Sequence, residues 1–148
     1  MAAGMVFRIV VGVDGSDSSL AALDWALEEA RLRSGEVYVV TAWHYPVIGD
    51  AAGRAEDHES FGDNARSVHA DALQRSSAAR VPVTGEVREG HPAEVLLKAA
   101  AGADLLVVGS RGHGGFAGML LGSVSSHAVH HAHCPVLVVR SGADTIQG

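Results

Sequence analysis

The chain has 148 residues, a formal net charge of −6 and a pI near 5.8, with 47% apolar and 19% charged residues. That length can bury one continuous core, and the composition suits a compact soluble domain rather than a disordered one. The acidic balance excludes nucleic-acid binding through phosphates, and the single cysteine, Cys134, excludes an internal disulfide and fits a reducing compartment.

The opening stretch MAAGMVFRIVVGVDGS has an apolar part too short to span a membrane and lacks a basic leader, so it reads as a first strand and the expected location is the cytoplasm. VFRIVVGV (6–13) is β-branched and nearly all apolar, as in a strand buried on both faces. DGSDSS (14–19) is a turn rich in potential N-caps, Ser16 among them. Leu20, Leu23, Leu27 and Ala30 then recur at helical spacing until Ser34-Gly35 stops the helix. EVYVVTAW (36–43) predicts a second strand.

Residues 44–64 mix proline, glycine and acidic side chains and predict a long loop. Residues 65–79 predict a helix with Val68, Ala72 and Leu73 inward. Residues 81–89 predict a third strand, more alternating than the others and so expected near a sheet edge. HPAEVLLKAAA (91–101) is a helix with proline at its start, where proline is tolerated. A fourth strand (104–110), a helix (121–132), a fifth strand (134–140) and a loose tail (141–148) complete the chain. Five strands alternating with helices predict an α/β fold: an open parallel sheet with helices on both faces and right-handed crossovers. Such sheets bind ligands beyond the carboxyl ends of strands, where the strand order reverses. The turn DGSDSS and the loop GSRGHGGFAGMLLGS (109–123) share that crevice if strands one and four are neighbours.

Six of those fifteen loop residues are glycine. Glycines let backbone amides approach a ligand closely, successive amides form an anion nest, and a helix start near Gly122 adds N–H groups and a positive dipole end. Ser123 and Ser125 add hydroxyls in the same turn. Lys98 is the only lysine in the chain and lies on another predicted helix, so a Walker loop is absent. GHGGFA (112–117) matches the dinucleotide fingerprint, but it follows the fourth strand and lacks an acidic partner about 20 residues on. It is the sole support for a nicotinamide- or flavin-binding redox protein. A phospho-receiver domain is set aside because Arg140 stands where its lysine would be.

Gly109, Gly112 and Gly122-Ser123 follow the spacing G-x2-G-x9-G-[ST], and with VVGVDGS (10–16), GHPAEVLLKAA (90–100) and HCPVLVVR (133–140) the chain resembles the universal stress protein family. The resemblance runs from about residue 5 to 140, which would form one domain with 141–148 as its tail. It implies an adenine nucleotide alpha hydrolase-like sheet in the order 3-2-1-4-5 and an ATP site, with a divalent metal such as magnesium on the phosphates. By that resemblance Val13 and Asp14 meet adenine and ribose, Ala42 contacts the base edge through its backbone, and Val108 and Gly109 flank the ribose. Gly112, Gly122, Ser123, Val124 and Ser125 bind phosphates, with Arg111 at the rim. Ala42 is smaller than the family's usual residue there.

Asp14 can also serve simply as a helix cap. His127 and His131 lie four apart, near His130, His133 and Cys134, yet without HExxH or CxxC they read as a solvated helix end, and no metal site is expected. Cys134 reads as a small buried residue and His113 as a surface histidine. The apolar fifth strand would leave an exposed edge, which pairing with a second copy covers; the resemblance implies the same homodimer. The expectation is thus a nucleotide-responsive binding module acting on an unknown protein partner, not an enzyme. The alternative is a slow ATPase or nucleotidyl transferase, for which the motif loops supply little beyond Asp14, Arg111 and His113.

Overall fold

The structure, a computed structural model, describes residues 6–44, 55–111 and 122–141. In chain order it contains β1 (Arg8–Gly12), α1 (Asp17–Arg33), β2 (Glu36–Trp43), α2 (Ala55–Ser76), β3 (Val83–Glu89), α3 (Pro92–Ala99), β4 (Leu105–Gly109), α4 (Ser123–His131) and β5 (Val136–Val139). A single 3-10 turn, Ser77–Ala79, follows α2.

Ile9, Val10 and Val11 of β1 are fully buried. Consecutive strand residues face opposite sides of a sheet, so three buried neighbours need cover on both faces. The five parallel strands, in the order β3-β2-β1-β4-β5, receive that cover from two sets of helices. Ile9, Val11, Val37, Val39 and Val107 pack under α1 and α2, while Val10, Val40, Leu106 and Val108 pack under α3 and α4. The expected strand order and the edge positions of β3 and β5 are those observed.

α1 starts at Ser16, whose hydroxyl accepts from the Ser19 N–H at 3.3 Å, and ends at Ser34 in the left-handed region with φ 54°. Asp17 at its start and Arg31 and Arg33 at its end complement the helix dipole. The expected Asp14 cap is therefore corrected: Ser16 is the N-cap, and Asp14 instead closes the turn before it.

The largest correction concerns 44–64. Residues 55–64 are not loop but the first turns of α2, and 45–54 lie outside the described residues. Gly62 lies where the Trp43 ring passes, since a Cβ there would stand 3.0 Å from Trp43 Cζ2. Leu73, expected inward, is 37% exposed, and the buried row is Ala65, His69, Ala72 and Ser76.

Candidate functional site

β1 and β4 lie side by side, with Val11 opposite Val107, and the chain leaves them in opposite directions across the sheet. Their carboxyl ends therefore form the switch-point crevice that suits a ligand. Val13 continues the ladder, donating its N–H to the Val40 carbonyl at 2.9 Å. Beyond it the chain turns through Gly15, whose φ of 86° belongs to glycine. Ser16 N–H donates to Asp14 Oδ1 at 2.9 Å, Asp14 N–H donates to Ser19 Oγ at 3.2 Å, and Ser19 Oγ donates to the Ser16 carbonyl at 3.0 Å. The Asp14 carboxylate is thus oriented by its own turn, half-buried at the edge of the crevice.

The β4 exit is fastened to this turn. Ser18 Oγ donates to the Arg111 carbonyl at 2.5 Å and accepts from Arg111 N–H at 3.2 Å; Ser16 Oγ donates to the same carbonyl at 3.2 Å. Gly109 permits the approach, because a Cβ there would lie 2.6 Å from Ser18 Oγ and 2.7 Å from the Ser19 backbone nitrogen. The loop is also closed at its base. Gly122 N–H donates to the Ser110 carbonyl at 2.6 Å, and Ser125 Oγ reaches that carbonyl at 3.2 Å and the Gly122 carbonyl at 3.0 Å. Ser110 N–H in turn donates to the Val139 carbonyl at 2.8 Å, tying the loop base to β5. Residues 112–121, which include Gly112, His113 and GHGGFA, lie outside the described residues.

Gly122 is the N-cap of α4 and supplies no side-chain cap. Ser126 N–H already bonds the Gly122 carbonyl at 2.9 Å. The N–H groups of Ser123, Val124 and Ser125 have no intrahelical acceptor, and with the positive helix end they make an anion-binding position. That position opens at the carboxyl end of β4, beside the Asp14 turn. The Ser123 hydroxyl is exposed, whereas Ser125 is 2% exposed and directs its hydroxyl to backbone carbonyls. Val13 and Val108 are both buried, so they offer walls and backbone rather than polar groups. Ala42 is half-buried on β2 and packs into the α3–α4 side of the core, and Arg111 is half-buried at the loop entrance.

Sequence reasoning missed Ser18, which joins the two loops through Arg111, and Ser110, whose backbone closes the glycine loop at its base. The signal was the run of small hydroxyl residues DGSDSS facing GSRG, whose pairing needs the β1–β4 neighbour relation. Elsewhere, Cys134 is half-buried against the α3–α4 side of the core rather than fully buried as expected, and desolvation pushes its thiol up, away from nucleophile behaviour. No helix among the described residues is long and apolar enough to cross a membrane.

The model of the universal stress protein family matches residues 5–140. Universal stress protein Rv1996 of Mycobacterium tuberculosis is 37% identical over 150 residues, covering 88% of this chain and 47% of that protein. Universal stress protein Rv2005c of the same organism is 38% identical over 134 residues, covering 89% of this chain and 45% of its own length. The chain spans about half the length of these curated relatives. Among solved structures, a universal stress protein in complex with cAMP is 31% identical with a TM-score of 0.69, covering 91% of this chain and 97% of that one. The universal stress protein from Archaeoglobus fulgidus in complex with dAMP is 26% identical with a TM-score of 0.67, covering 91% and 99%.

Proposed function

The chain belongs to the universal stress protein family, and on that premise we propose that it is a nucleotide-responsive binding module whose ligand is ATP, held where β1 and β4 end. One observation carries the reading: the Asp14 turn and the capless start of α4 are fastened to one another through Ser18, Arg111, Ser110 and Gly122. This fastening supports a site in which a carboxylate and an oriented set of amides share one crevice. The similar proteins solved with cAMP and dAMP support an adenine nucleotide as the ligand class.

In this reading Val13, Ala42, Val108 and Gly109 line the nucleoside, and Asp14 faces the ribose. The amides of Ser123, Val124 and Ser125 take the phosphates with the Ser123 hydroxyl and Gly112, Gly122 leaves them room while its own N–H holds the Ser110 carbonyl, and Arg111 stands at the rim. Ser125 works chiefly by position, since its hydroxyl holds the loop base shut. The Ser123 hydroxyl is an oxygen donor beside the phosphates suited to a phosphate-bound magnesium ion, which would keep most of its waters. Bound nucleotide alters the surface offered to a protein partner; such a switch requires the partner to discriminate between the two surfaces. Catalysis is not part of the proposal: dedicated phosphoryl transfer needs a positioned base and charge stabilisation at the transferred group, and the motif loops offer little beyond Asp14, Arg111 and His113.

Calorimetric titration with ATP, ADP, AMP and cAMP tests the reading. It predicts saturable binding with ATP among the tightest, and ATP hydrolysis far below about 1 per second. Absence of heat and of thermal stabilisation with all four nucleotides refutes it.

A further inference from the structure

The C-terminal half of α4 carries chemistry that the nucleotide site does not use. His127 and His131 stand one turn apart, their ring centroids 4.3 Å from one another and their planes tilted by 36°. Both are exposed, and α4 has no carboxylate that could hold either ring in an ion pair. His130 is engaged elsewhere, donating Nδ1–H to the Ser126 carbonyl at 2.7 Å.

We propose that His127 and His131 together chelate a divalent transition metal ion of the copper, nickel or zinc class, one ring nitrogen each, with water completing the coordination. Residues four apart on a helix are neighbours on its surface, and the helical backbone fixes their spacing before any ligand arrives. Metal–nitrogen bonds of about 2.0–2.1 Å at tetrahedral or right angles require the two nitrogens to lie about 3 Å apart. Rings whose centroids are 4.3 Å apart reach that separation by small side-chain rotations, without moving α4. Imidazole is a favoured ligand for all three metals, with copper bound most tightly.

Among the described residues no group of three or more histidine, cysteine or acidic side chains is placed to hold a metal. The chelate is therefore an open surface site with two protein ligands, unlike a closed structural zinc centre. Two other histidine contacts supply comparisons. His44 and His91 stack with centroids 5.9 Å apart but sit on different elements, and His58 Nε2 lies 2.8 Å from Glu89 Oε2.

The test titrates the untagged chain with copper(II), nickel(II) and zinc(II) chlorides near neutral pH, following heat and, for copper, visible absorption. One saturable site per chain is expected, tightest for copper. Losing even an outer partner of a metal ligand weakens affinity about 10–100-fold, so His127→Ala and His131→Ala should each weaken it about tenfold or more. His130→Ala and His44→Ala should leave it unchanged. All four side chains are exposed, and circular dichroism checks that each variant folds. The proposal fails if no saturable binding occurs up to roughly millimolar metal, if both α4 variants bind as the parent does, or if His44→Ala removes the site.

Discussion

Gly109 shows why a motif residue can be visible in sequence while its reason is not. Its spacing to Gly112 and Gly122 suggests amides near a ligand, but in the structure it also makes room for the first turn of α1, with a Cβ meeting Ser18 at 2.6 Å. Gly109→Ala should destabilise the fold by about 1–3 kcal/mol through overpacking, read from urea unfolding; an unchanged midpoint would show that the contact relaxes freely. His69 escaped notice because nothing in the sequence marks it as buried. Its Nδ1 lies 3.1 Å from Thr41 Oγ1, and a Cβ on Gly85 would stand 2.8 Å from its Cε1. Burial holds this imidazole below the usual histidine range, with the Glu86 carboxylate pulling the other way. The unfolded chain therefore takes up the proton first, and this residue's contribution to stability is lost as pH falls below about 6.5 towards the lowered folded value. Urea midpoints measured from neutral to mildly acidic pH should fall more steeply for the parent than for His69→Gln. Equal slopes would contradict the assignment.

Among the elements, the strands were readable as short runs of valine, isoleucine and leucine buried on both faces, and α1 by leucine and alanine at helical spacing. α2 was not. Its buried row runs Gly62, Ala65, His69, Ala72 and Ser76, a heptad-like spacing built from small and polar residues with little hydrophobic contrast. Close approach to the sheet selects small side chains, so tertiary packing set the face where hydrophobicity was silent. Two substitutions separate Ala72, expected inward and buried, from Leu73, expected inward and exposed. Ala72→Leu, at a fully buried position, should destabilise by about 1–3 kcal/mol, whereas Leu73→Ala should change stability by about 0.5 kcal/mol or less. The reverse ranking in chemical denaturation would put Leu73, not Ala72, at the centre of the buried face.

For the whole molecule, alternation of strands and helices made the layer architecture legible, and the resemblance supplied the strand order. Physical reasoning alone left the β1–β4 neighbour relation open, and the crevice depends on it. The same order leaves β5 with one strand neighbour and a half-buried row, Val136–Val139. Unpaired edges of this kind invite strand pairing, and a second copy of the chain is the proposed cover. Sedimentation at micromolar concentration should therefore find a dimer, and a monomer would remove that proposal without touching the nucleotide site. The nucleotide claim itself rests on backbone amides at the start of α4 holding phosphate. Calorimetric titration of ATP into the parent and into Gly122→Val, with circular dichroism and urea unfolding confirming that both are folded, tests this most directly. The account predicts saturable binding by the parent and a loss of at least about tenfold, or about 1.4 kcal/mol, in the variant. Equal affinity in a folded Gly122→Val protein would contradict it.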